Sequence, residues 1–118
     1  MVATEFDWQW SAFDALTPAA LYAVLAARAA VFVVEQSCAY QDLDGYDARA
    51  DHLVAWRNGD VAAYCRVFPP GVKYAEASIG RVLTTRAFRG TGVGRELVAR
   101  ALARLDARHP GRGARISA

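Results

Sequence analysis

The sequence predicts a mixed α/β domain, and three stretches carry that prediction. His52-Leu53-Val54-Ala55-Trp56 and the run Val61 to Val67 are apolar segments joined across Asn58-Gly59, a strong short signal for a β-hairpin. Val93, Leu97, Val98, Ala101, Leu102 and Leu105 recur at helical spacing, with Arg95, Arg100, Arg104 and Arg108 largely off that stripe. Between the two lies a strand-like segment, about 77–84, that runs into Arg89-Gly90-Thr91-Gly92-Val93-Gly94.

The remaining elements follow from local chemistry. Residues 6–10 alternate apolar and polar, as a half-buried strand does. Thr17 followed by Pro18 is an N-cap with proline at the first helical position. Leu21, Val24, Leu25 and Arg28 then share one face of a helix expected over about 18–30. Val31 to Val34 reads equally as helix end or strand. The acidic stretch 37–51, which contains Gly45, reads as a loop with room for a short helical turn. Pro69-Pro70-Gly71 breaks the second hairpin strand, Pro110-Gly111 ends the second helix, and residues 114–118 begin a last strand.

The 118 residues fit one domain, which at this size buries roughly two thirds of its unfolded surface. A composition that is 54% hydrophobic and 22% charged excludes a disordered chain. No apolar run in the sequence approaches the ~20 residues that span a bilayer, and the start lacks a basic region followed by an apolar one. Cys38 and Cys65 show no metal-ligand spacing and form no disulfide framework. A cytoplasmic chain with free thiols is the expectation.

The net charge of +2 hides an asymmetry: residues 1–60 carry nine acids against three arginines, and residues 61–118 carry eleven bases against three acids. The basic half suits a polyanionic partner, either nucleic acid or a phosphorylated cofactor. Nucleic acid is disfavoured, because the arginines are spread along a helix without a recognisable motif.

The glycine loop favours the cofactor. A helix N-terminus offers unpaired N–H groups and partial positive charge, and glycines let the backbone approach an anion. Strand, glycine loop and helix together make a phosphate cradle, with Arg89 and Arg95 at its rim. No Gly-Lys-Ser/Thr follows, so the loop is not a P-loop. The spacing Gly90-x-Gly92-x-Gly94 is not the dinucleotide fingerprint either.

Arg89 to Gly94 resembles the Arg/Gln-x-x-Gly-x-Gly/Ala signature of the GNAT N-acetyltransferase family. The resemblance extends to its ElaA-type subgroup through the stretch Arg28 to Asp47, through His52-Leu53 and through Ser78-Ile79-Gly80-Arg81-Val82, and so covers nearly the whole chain. It implies a strongly twisted, mostly antiparallel sheet with helices on both faces. It also implies acetyl-CoA as acyl donor, with the backbone of Val82, Leu83 and Thr84 pairing the pantetheine arm. Gly90, Thr91, Gly92, Val93 and Gly94 would take the pyrophosphate, with Arg89 and Arg95 beside them. Family members continue through another helix and two strands, which usually carry the tyrosine that protonates the departing thiolate. The chain is therefore expected to be a fragment or half of an intertwined homodimer.

Transfer of an acetyl group to an amine needs the amine neutral, which for a lysine-like group at pH 7 costs about 4–5 kcal/mol. Glu35, an isolated acid after four apolar residues, is the first candidate base. A structural pairing with Arg28 or Arg81 is equally open to it. His52 is open to a base role or to a satisfied structural one. Asp42, Asp44 and Asp47 could draw a cationic small-molecule or peptide amine toward the site, or simply face solvent. They do not make a calcium loop, because Gly45 is fourth from Asp42 where an EF-hand needs glycine sixth. No metal is expected. The competing class is an acyl-CoA-binding module without catalysis.

Overall fold

In the computed structural model, which describes residues 5–117, the strands form one five-stranded sheet. Residues 1–4 and 118, with the start of the chain and the last residue of the expected 114–118 strand, lie outside the described residues. The strands are β1 (Asp7–Ala12), β2 (Asp51–Arg57), β3 (Asp60–Phe68), β4 (Ser78–Thr84) and β5 (Arg115–Ile116), in that spatial order. The first four pair antiparallel, and β5 lies parallel to β4. Helix α1 (Pro18–Arg28) covers one face and α2 (Val93–Arg108) the other.

Each expected element is present, with edges moved by a residue or two. Thr17 caps α1, its hydroxyl accepting from the Ala20 N–H at 3.1 Å. Asn58 and Gly59 both have positive φ, 52° and 83°, as the tight turn between β2 and β3 requires. Side chains alternate along the hairpin: Leu53, Ala55, Cys65 and Val67 face α2, while Val54 and Tyr64 face α1. The burial of Cys65 pushes its thiol up to about 12, so it is an inert core residue.

The segment Val31 to Val34 belongs to a π-helix, Ala29–Glu35, that continues α1. Its β-branched residues favour a strand locally, but Val31 and Phe32 are buried only if the wider helical turn carries them onto the sheet. The combined run Pro18–Glu35 has mean hydropathy 1.6 over 18 residues, long and apolar enough by composition to cross a bilayer. It contains the fully buried, ion-paired Arg28 and packs on the sheet, and a core helix passes the same test.

Two features of β4 shape the site. Where β3 advances from Tyr64 to Arg66, β4 goes from Leu83 to Gly80, so Arg81 and Val82 together oppose Cys65. Arg81 sits at φ +52° in this bulge, uncommon for a non-glycine residue in a strand. The pairing with β5 covers Ser78 and Ile79, and Ser117 N–H reaches Ile79 O at 2.9 Å. Among the described residues, the outer edge of β4 from Arg81 to Thr84 has no strand partner.

Candidate active site

The open edge of β4 leads directly into the glycine loop. After Thr84 the chain makes a short 3-10 turn, Arg86–Phe88, and enters α2 through Gly90 and Gly92 at φ +84° and +88°. Only glycine adopts that conformation without steric cost. Gly92 is the N-cap of α2 and supplies no side-chain hydrogen bond, so the N–H groups of the first turn beyond Val93 keep the donors and partial positive charge of a free terminus. Thr91 Oγ1 steadies the turn, donating to Phe88 O at 2.7 Å and receiving the Val93 N–H at 3.4 Å. A Cβ at Gly90 or Gly92 would meet nothing within 4 Å, whereas one at Gly94 would lie 2.8 Å from Thr84 Oγ1. The last glycine thus lets α2 approach β4, and the first two shape an open cradle. Val93 is buried beneath the loop and Arg95 is exposed on the first turn. These residues fit a pyrophosphate with an extended amide arm along Val82, Leu83 and Thr84.

Glu35 ends the π-helix beside this cradle. Its carboxylate accepts from Arg89 Nη2 at 2.5 Å and lies 4.0 Å from Arg86 Nε. Arg89 also donates through Nε to Thr84 O at 3.0 Å. The partners expected for a structural Glu35, Arg28 and Arg81, are engaged elsewhere; its partner is the first residue of the cofactor signature.

His52 lies inside the protein, 1% exposed. One ring nitrogen, Nε2, sits 2.9 Å from Asp47 O, which can only accept, and Nδ1 lies 2.6 Å from Tyr64 Oη. Nε2 therefore carries a proton, and in the neutral ring that burial favours Tyr64 donates to Nδ1. Burial lowers the His52 pKa and raises that of Tyr64, which suits both neutral forms. With both nitrogens engaged and 1% exposure, His52 has the contacts of the satisfied structural histidine, one of the two roles its sequence leaves open, rather than those of a base.

The acidic loop also differs from expectation, for an electrostatic reason. Asp42, Asp44 and Asp47 turn inward. Arg28 donates to Asp42 at 2.9 Å and to Asp47 at 2.7 Å. Arg66 bonds Asp44 at 2.5 Å and Asp47 at 2.9 Å, Lys73 reaches Asp44 at 3.1 Å, and Arg81 holds Asp42 at 2.8 Å. Hydrogen bonding from Arg66 holds the Asp44 carboxyl well below the usual range. At Asp47 burial works the other way, but Arg28 and Arg66 outweigh it and the pKa is lowered. Four cations meet three carboxylates, so the network has one positive charge in excess. The negative field expected to draw a cationic acceptor is consumed inside the fold. No cluster of metal-ligand type occurs among the described residues.

The network was the feature hardest to see in sequence, though two signals pointed to it. Arg28 falls on the apolar stripe of α1, and Arg66 sits between Cys65 and Val67 in an apolar strand. A guanidinium at a core position demands carboxylates.

A five-stranded, mostly antiparallel sheet that offers an open, bulged strand edge leading into a glycine cradle defines an acyl-CoA N-acyltransferase fold. The chain belongs to the acetyltransferase (GNAT) family, whose model matches residues 6–117. It is 41% identical over 98 residues to the ElaA protein of Escherichia coli, which covers 81% of this chain and 64% of ElaA. A UPF0039 protein of Synechocystis is 41% identical over 97% of this chain and 75% of its own length. The crystal structure of Escherichia coli ElaA superimposes with a TM-score of 0.89 and 35% identity over 97% of this chain and 78% of that one. An acyl-CoA N-acyltransferase from Pseudomonas aeruginosa gives 0.89 and 40%, covering 97% of this chain and 80% of that one. The chain is of the ElaA type and spans about two thirds to four fifths of these relatives.

Proposed function

We propose that the chain binds acetyl-CoA and supports transfer of its acetyl group to a primary amine by direct attack on the thioester. The observation that carries this reading is the continuity of the unpaired β4 edge with the cradle at the start of α2. Backbone groups of Val82, Leu83 and Thr84 would hold the pantetheine arm as an added strand, and the donors of Gly90 to Gly94 would hold the pyrophosphate. Arg89 and Arg95 contribute positive charge at the rim.

Glu35 is the proposed base. Its bond to Arg89 couples it to the cofactor: a pyrophosphate that engages Arg89 competes for the same guanidinium and leaves Glu35 free to take the ammonium proton. Bound acetyl-CoA supplies an activated thioester carbonyl, and the chain supplies orientation and proton removal. Calorimetry with acetyl-CoA tests binding, and thiol release with a panel of amines tests transfer. Heat without thiol release identifies an acyl-CoA-binding module. No heat and no thermal shift at millimolar cofactor removes the cofactor assignment.

A further inference from the structure

A cavity of about 240 Å³ lies on the α1 side of the β4 bulge, between the end of the π-helix and Arg81. Its walls are Phe32, Gln36, Cys38, Tyr40 and Arg81. None is a carboxylate. Arg81 is immobilised by donating through Nε to Asp42 Oδ1 at 2.8 Å and through Nη2 to Asp42 O at 3.0 Å. Its guanidinium also sits over the Tyr40 ring, 5.6 Å from the centroid. The remaining nitrogen, Nη1, has no hydrogen-bond partner among the described residues, and the Arg81 side chain, 12% exposed, lines the cavity. The ion network behind it already holds one more cation than carboxylates. Glu35, next to Gln36 in the chain, is held by Arg89 with Arg86 at 4.0 Å.

From this we infer that the cavity takes the acceptor, and that the acceptor is an amine carrying a carboxylate, of α-amino-acid type, rather than a polyamine. The inference rests on the reading of β4 as the cofactor strand, because Arg81 directly precedes Val82 to Thr84. A carboxylate would accept from Arg81 Nη1, with the Gln36 side-chain amide within the same cavity as a second donor. Phe32 and the Tyr40 ring would flank the apolar part. The fixed guanidinium costs little further ordering when it binds, which favours recognition by this group over a mobile surface lysine. A polycation would meet the excess positive charge of the network behind Arg81, and none of the cavity's walls is a carboxylate to receive it.

The test is NMR titration of the ¹⁵N-labelled chain, with and without CoA, followed at Arg81 Nε–H and the Gln36 side-chain amide. The probes are aliphatic and aromatic α-amino acids, each paired with its carboxamide, and spermidine. At least one acid should move both signals at millimolar concentration. Its amide should bind about tenfold more weakly, the loss expected when a charged partner is removed. Spermidine should leave both signals in place. Because Arg81 also holds Asp42, Arg81→Gln could unsettle the fold, so Gln36→Glu serves as the second variant. It adds a negative charge at an exposed position outside the network and should weaken the acid about tenfold. Equal binding of acid and amide, a response to spermidine, an unaffected Gln36→Glu variant, or no response to any acid overturns the inference. The same spectra report CoA at the amides of Gly90 to Gly94. Silence there with a response at Arg81 leaves an amino-acid site without an acyl donor and defeats the cofactor reading and the acceptor role with it, whereas CoA shifts at the loop without a response at Arg81 defeat the acceptor inference alone.

Discussion

Arg89 Nη2 donates to the Glu35 carboxylate across 2.5 Å, tying the end of the π-helix to the first residue of the glycine cradle. The pair is partly exposed, 43% and 22% by side chain, so solvent screening keeps its worth to about 0–1 kcal/mol. It is weak enough to be exchanged for a phosphate contact.

This exchange predicts opposite effects on binding and transfer. Glu35→Gln removes the competitor for Arg89 and should leave acetyl-CoA affinity unchanged or tighten it by up to about fivefold. Acetyl transfer should fall by about 10²–10⁴-fold, as for loss of a general base. Calorimetry and thiol release read the two separately. A variant that binds acetyl-CoA much more weakly would show that Glu35 props the loop rather than competing for it.

The three loop glycines should respond differently to alanine. Gly92→Ala places a side chain at φ +88° in open space, so its cost to stability is the left-handed conformation, about 1–2 kcal/mol. Gly90→Ala, at φ +84°, should behave alike. Gly94→Ala meets Thr84 Oγ1 at 2.8 Å instead, and the cost should shrink when Thr84→Ala is added. Urea denaturation of the four single variants and the Gly94→Ala, Thr84→Ala pair checks this. Additivity within the pair would place the strain elsewhere.

The cradle was legible in sequence because glycine spacing and helical periodicity are local signals, read over Arg89 to Leu105. The hairpin was legible for the same reason: Asn58-Gly59 dictates its own turn. The fate of Asp42, Asp44 and Asp47 was not, since their partners Arg28, Arg66 and Arg81 are 14 to 39 residues away in the chain. A loop acid looks the same in sequence whether it meets water or a buried guanidinium. Val31 to Val34 stayed open between helix end and strand because Val31, Val33 and Val34 prefer strands locally, and tertiary burial of Val31 and Phe32 decides for the helix.

The buried network predicts a sharp division between its members. Arg28 is fully buried, and Arg28→Met would remove one of the two arginines that hold each of Asp42 and Asp47. Loss of one member of a buried ion pair costs about 3–5 kcal/mol, a large share of the stability of a domain this size. Lys73, at 22% exposure, contributes one partly screened pair, and Lys73→Ala should cost under about 1 kcal/mol. Urea midpoints at constant slope measure both. Similar losses for the two variants would mean that the network is wetter than its burial indicates.

His52 and the aspartates make stability fall with acid in two separate windows. The folded-state pKa of His52 is lowered, by burial first, so near neutral pH the unfolded chain binds a proton there that the folded chain refuses. The stabilisation is complete above the unfolded value of about 6.5 and declines below it, at up to about 1.4 kcal/mol per pH unit, until the folded ring itself protonates. Asp44 and Asp47 are also depressed, Asp44 chiefly by the Arg66 hydrogen bond and Asp47 by Arg28 and Arg66 acting against burial. Their contribution is intact above the ordinary carboxylate range and is lost only as pH falls below about 4. Urea titrations between about pH 8 and pH 5 should therefore show a loss that His52→Gln abolishes, because glutamine takes up no proton in either state. That variant also leaves Tyr64 Oη without its acceptor, so it starts from a lower stability and its pH dependence, not its absolute value, is the readout. A wild-type chain whose stability is flat across this window, or a His52→Gln variant that keeps the slope, would show that His52 is not the buried neutral ring described by its contacts with Asp47 and Tyr64.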